Sequence, residues 1–225
     1  MKPLAEVTYD GQPAGEKGRY ANLDIDYIRQ RWDARAERWA SDLGDPSCHL
    51  NRDNSYRLYL DAVLASLERL SRPIPGGVVD LGCGTGEMLC AVRDRFPWST
   101  GIDISPRMLD LARDHLGPGS SFIKGNVFEA DCIPHGCSAI ISRGVLLSHY
   151  GAENGLRLLR ILRGSILDAG ILFLDALNKD DPDLPPNKTG YGLVELSEMA
   201  VRSGFSRAEL IAPPTRSSLI IAFTP

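Results

Sequence analysis

Apolar residues return along this chain in two rhythms. Between residues 24 and 40 they recur every three or four positions, at Ile25, Ile28, Trp32, Ala36 and Trp39, which is the period of an amphipathic helix. Asn22 or Asp24 is placed to cap it. A second stripe of Leu60, Val63, Leu64, Leu67 and Leu70 predicts a helix from Asn54 or Ser55 to Leu70. From Val78 onward, short unbroken apolar runs alternate with helical stripes, as in strands covered on both faces. Strands are predicted at 78–81, 100–104, 121–125, 139–142 and 171–174, with two more at 205–211 and 218–223 around Pro213-Pro214. Helices are predicted between them at 87–96 (stopped by Pro97), 106–116 (capped by Ser105, stopped by Gly117-Pro118-Gly119), 153–168 and 193–203. This order predicts a doubly wound, mostly parallel α/β sheet with right-handed crossovers. Residues 1–53 are set apart as a flexible start (Pro3, Gly11, Pro13, Gly15 and Gly18) followed by a helical lid, and residues 54–225 as the ligand-binding domain.

The densest glycine punctuation is Val78-Val79-Asp80-Leu81-Gly82-Cys83-Gly84-Thr85-Gly86. A buried strand runs into a glycine turn and then a helix, the arrangement with which doubly wound sheets open a nucleotide site. Gly82, Gly84 and Gly86 permit positive φ and close ligand approach. A dinucleotide fingerprint spaces its glycines G-x-G-x-x-G. Here the third comes one residue early, Glu87 takes its place, and Asp80 precedes the first by two residues, a poor neighbour for a pyrophosphate. The pattern suits a cofactor with a cationic end and no phosphate. Asp103 ends the second strand about twenty residues further on, where a carboxylate accepts hydrogen bonds from ribose hydroxyls.

Taken together, these residues resemble motif I and its downstream acid in class I S-adenosylmethionine (SAM) methyltransferases, and the resemblance covers residues 24–225. It implies a seven-stranded Rossmann-like sheet with the last strand antiparallel, SAM as cofactor and S-adenosylhomocysteine (SAH) as product. It assigns Asp80, Gly82, Cys83 and Gly84 to the cofactor, Asp103 to the ribose, and Ile104 and Val127 to the base. Asn126 stands where the family usually has an aspartate that accepts from the adenine amino group; an asparagine can both accept and donate there. The run Trp32-x3-Ala36-x2-Trp39 is similar to the aromatic helix before the core of many small-molecule methyltransferases. That places Trp32 at the cofactor beneath a lid, a statically packed helix being the other reading. Arg52-x3-Tyr56 is similar to the arginine–tyrosine approach of glycine N-methyltransferase-like enzymes, where the arginine pairs with the SAM carboxylate; a solvated surface arginine is the alternative. Arg143 begins the loop that in this family lies beside the methionine end of SAM and the acceptor.

His149, further along that loop, is the histidine placed for acid–base chemistry, as a general base or as a residue that shapes the pocket. Methyl displacement from a sulfonium needs positioning and no covalent enzyme nucleophile, and a base only when the acceptor arrives protonated. Gly-x-Ser-x-Gly does not occur. Cys132, His135 and Cys137 cluster, but with no second cluster and with Pro134 and Gly136 marking a loop, no metal is expected. The 225 residues carry a formal net charge of −4 with no basic block, which argues against a nucleic-acid partner. No apolar run approaches a membrane span, and five cysteines without paired spacing suit a reducing cytoplasm. The reading is therefore a cytoplasmic SAM-dependent enzyme that methylates N or O of a small molecule. A non-catalytic SAM- or nucleotide-binding regulatory module is the alternative, and an NAD-dependent oxidoreductase is disfavoured by the glycine spacing.

Overall fold

The computed structural model describes residues 24–44, 55–70, 74–144 and 146–225. The expected flexible start at 1–20 and Arg52 lie outside them. Two helices, α1 (Ile25–Gly44) and α2 (Ser55–Leu67), precede the sheet. Then follow β1 (Gly77–Leu81), α3 (Glu87–Val92), β2 (Ser99–Asp103), α4 (Pro106–Leu116), β3 (Ser121–Lys124) and β4 (Cys137–Ser142). The chain continues through α5 (Leu146–Ser165), β5 (Ile166–Asn178), β6 (Gly190–Tyr191), α6 (Leu193–Arg202), β7 (Arg207–Leu210) and β8 (Ser218–Thr224). The sheet runs β3-β2-β1-β4-β5-β8-β7, and the two-residue β6 joins β5 off this path. β8 lies antiparallel to both β5 and β7, while the remaining pairings are parallel. The expected seven strands thus form the main path, with the last reversed.

Both faces of the sheet are covered, with the side-chain period of two dividing the core. Val79, Leu81, Ile140, Leu172 and Leu174 face one cluster, which takes in Ile28 of α1 and the apolar stripe of α5. Val78, Ala139, Ile141, Ile171 and Phe173 face the other, with Tyr59, Val63 and Leu67 of α2 and Leu89 and Val92 of α3. Tyr59 is a buried plug whose hydroxyl lies 3.0 Å from the carbonyls of Ser142 and Phe173, tying α2 to the ends of β4 and β5.

Local signals hold where they are strong. Asp24 Oδ1 accepts from the Tyr27 N–H (3.0 Å) and Ser105 Oγ from the Met108 N–H (3.1 Å), so both helices are capped as read. Three boundaries differ. α3 stops at Val92 and tightens into a 3-10 turn at Arg93–Arg95, because Pro97 forces Phe96 into extended backbone. α5 ends at Ser165 rather than 168, and the next residues enter β5 through a register irregularity between Cys137 and Ala139 of its partner β4. The loop expected to carry His149 is instead the first turn of α5, which kinks at Gly151 (φ 79°) before the main helix continues.

Candidate cofactor and acceptor site

The C-terminal ends of β1, β2 and β4 meet at the glycine turn, the position at which open α/β sheets bind ligands. Gly82, Gly84 and Gly86 have φ of 67°, 53° and 88°, so each uses the left-handed region that glycine supplies. Four amides of this turn are used within the chain. Gly82 and Cys83 donate to the Ile102 carbonyl, Gly86 to that of Cys83, and Gly84 to Asp103 Oδ2 at 2.9 Å. Glu87 stands in the first turn of α3, where its charge opposes a phosphate at this turn.

Two carboxylates are buried here. Asp80 Oδ2 has no hydrogen-bond partner among the described residues. Burial foremost, then the nearby Asp103 and Glu87 charges, pushes the Asp80 carboxyl up to about 8. The Leu89 backbone donates to this carboxyl, but a buried carboxylate oxygen left without a donor is unfavourable, so Oδ2 fits a cationic ligand group. Asp103 is held from both sides, Oδ1 accepting from the Ser105 N–H (2.9 Å) and Oδ2 from that of Gly84. Its burial outweighs these bonds and raises it to about 6. Each oxygen keeps a further lone pair for a hydroxyl donor.

A cleft above the turn is lined by Asp80, Gly82, Cys83, Glu87, Met88, Arg143, Tyr56 and Trp39. The guanidinium carbon of Arg143 lies 5.3 Å from the Tyr56 ring centre. The Trp39 indole nitrogen sits over the turn, 3.3 Å from where a Cβ on Gly84 would be, and the cleft it covers encloses only about 30 Å³. Trp32 does not line this cleft; it packs on the core and meets Trp39 edge-on at 5.3 Å. Ile104 is partly buried beside Asp103, while Val127 is buried in the core. Asn126 Oδ1 accepts from the Phe128 N–H (3.1 Å), which leaves its amide nitrogen as the group to donate outward. His149 is buried in α5 and lies off this cleft. The sequence named Trp39 only as a tryptophan of the lid helix, with Trp32 given the cofactor contact, and Tyr56 only as a partner of Arg52.

The Cys132, His135 and Cys137 cluster does not converge. Cys132 donates to the Asn126 carbonyl, Cys137 to that of Pro134, and His135 Nδ1 lies 3.1 Å from the Gly164 carbonyl. Among the described residues no group could hold a metal ion.

Residues 78–166 match the model of a methyltransferase domain. Trans-aconitate 2-methyltransferase of Acidovorax sp. (strain JS42) is 38% identical over 100 residues, 43% of this chain and 38% of the relative. Malonyl-[acyl-carrier protein] O-methyltransferase of Halalkalibacterium halodurans is 30% identical over 83 residues, 35% of this chain and 30% of the relative. These matches therefore span well under half of the relatives' lengths. Magnesium protoporphyrin IX methyltransferase from Synechocystis PCC 6803, crystallised with SAM, superposes with a TM-score of 0.69 at 20% identity, over 90% of this chain and 97% of that one. Residues 78–166 thus match a methyltransferase domain, within a fold shared with a SAM-bound methyltransferase.

Proposed function

We propose that this chain is a class I SAM-dependent methyltransferase that binds SAM at the glycine turn and transfers its methyl group to an N or O atom of a small molecule. When bound, SAM supplies a methyl already made electrophilic by its sulfonium. The observation that carries the reading is the buried Asp80 oxygen without a protein donor, at the same glycine turn that Asp103 braces and where Glu87 opposes a phosphate. Asp80 would hold the cationic amino-acid end, Asp103 the ribose, and Asn126 with Ile104 the base. Trp39, Tyr56 and Arg143 would exclude water and position the acceptor. Chemically, positioning is the main contribution asked of the chain.

An oxygen acceptor is supported by the relatives. Trans-aconitate and malonyl groups both carry carboxylates, and one relative is named as an O-methyltransferase. A carboxylate is already a nucleophile at neutral pH and needs no base, which suits a cleft whose described lining has no histidine.

Calorimetric titration of SAH into wild type and Asp103→Ala tests the cofactor reading. Removing a hydrogen-bonded charged group is worth about 1.5–3 kcal/mol. The variant should therefore bind roughly ten- to a hundred-fold more weakly. Equal affinity in both would remove Asp103 from the site, and a wild type that binds no SAH would remove the function.

A further inference from the structure

The order of strands sets the order in which a cofactor is read. Asp80 lies on β1, Asp103 ends β2, and β3 follows on the outer side of β2. A SAM held by its amino-acid end at Asp80 and by its ribose at Asp103 therefore carries its base toward the end of β3. That end is fixed to the ribose strand. Lys124 is the register partner of Asp103, and the Gly125 N–H donates to the Asp103 carbonyl at 3.0 Å. Asn126 is the next residue.

The turn that carries Asn126 is braced at three points. Its carbonyl accepts from the Glu129 N–H (2.8 Å) and from the Cys132 thiol (3.1 Å), and its side-chain Oδ1 accepts from the Phe128 N–H (3.1 Å). Val127 and Phe128 anchor the turn in the core, while Asn126 itself is half-buried. Only the oxygen of a carboxamide can accept, so the bond from Phe128 decides which way the amide points. Nδ2 is left as the outward group, and nothing among the described residues accepts from it. An aspartate on the same turn would spend one oxygen on Phe128 and present the other. The position would be unchanged and the sense of the hydrogen bond reversed.

The two senses select different purines. Adenine has a donor at C6, its amino group, beside the acceptor N1. A 6-oxopurine has an acceptor at C6, its carbonyl oxygen, beside a donor at N1. A carboxylate oxygen accepts from the adenine amino group and is repelled by the carbonyl oxygen. An outward N–H donor reaches adenine at N1 and a 6-oxopurine at O6, and so gains one hydrogen bond from either. From this geometry we infer that Asn126 is a base-selecting residue, and that its outward donor lets this chain take an inosyl (6-oxopurine) cofactor as readily as the adenosyl one; this rests on the cofactor reading proposed above and names the bases that the same site accepts.

The test is calorimetry with two probes that differ only at the edge of the base, SAH and S-inosylhomocysteine, on wild type and Asn126→Asp. The substitution is isosteric and keeps an oxygen for the Phe128 N–H. Wild type should bind S-inosylhomocysteine no more than about threefold more weakly than SAH. In Asn126→Asp the ratio should move toward SAH by about tenfold or more, because adenine gains a hydrogen bond to a charged oxygen while O6 meets an unfavourable one. A ratio of two affinities within one protein does not respond to a general loosening of the turn, so it separates base selection from a purely structural role. Wild type that favours SAH by more than about threefold would overturn the inference. So would a smaller movement of the ratio in the variant, whatever its melting temperature, since Asn126 would then only hold the turn. Wild type that binds neither probe overturns the cofactor reading beneath it.

Discussion

At the scale of single residues, His149 is where acceptor chemistry becomes measurable. It is buried in the first turn of α5, beside Ser148, whose Oγ accepts from the Leu177 N–H at 2.9 Å. Both readings of this histidine, base or pocket-shaping group, remain proposals, and the acceptor separates them. A general base is typically worth about a hundred-fold in rate. If the acceptor is a carboxylate, His149→Gln should keep turnover within about twofold across neutral pH, because no proton has to leave. A loss near a hundred-fold that shrinks as pH rises would identify a base working on an amine or hydroxyl, and would count against a carboxylate acceptor.

Among the elements, α1 stands apart. It packs through Ile28 and Ala36, and it is latched to α4 by Asp33 on Ser105, two residues from the ribose-binding candidate Asp103. Its Trp39 lines a narrow cleft of about 30 Å³, room for a few waters at most, so a cofactor-sized ligand at this point needs α1 to yield. We propose α1 as a lid that opens for the cofactor and closes behind it. Limited proteolysis should cut within α1 several-fold more slowly once SAH is added, and Asp33→Ala should be cut faster than wild type without ligand. Equal cleavage rates with and without SAH would make α1 a static part of the wall.

For the whole molecule, the site couples to stability through protons. Unfolded, Asp80 and Asp103 titrate near 3.8; folded, burial holds them at about 8 and about 6. Between these values the native chain keeps protons that the unfolded chain has released, so stability falls as pH rises through about 4 to 8. The contribution is complete below the unfolded value and lost above the folded ones. Urea unfolding of wild type should therefore show a lower midpoint at pH 8.5 than at pH 6. Asp80→Asn, which cannot ionise, should flatten this fall by on the order of a few kcal/mol. Saturating SAH should also reduce it, by giving the Asp80 carboxylate a cationic partner. Identical pH dependence in wild type and Asp80→Asn would mean that Asp80 is not the coupled group.

Periodicity and punctuation alone determined the order of the main elements, the mostly parallel sheet, and the helix caps at Asp24 and Ser105. These depend on short stretches whose hydrophobic period and turn chemistry point to one local answer. The glycine turn and Asp103 were legible for the same reason, since each ends a strand whose exit is marked in sequence. The tertiary structure decided what distant segments do to one another. It set Trp39 rather than Trp32 over Gly84, joined Tyr59 to the carbonyls of β4 and β5, bonded the Gly84 amide to Asp103, and left an Asp80 oxygen buried without a donor. It also drew the segment bearing His149 into a helix that kinks at Gly151. Burial, desolvation and charge depend on neighbours brought together only by packing, so no spacing within one segment encodes them.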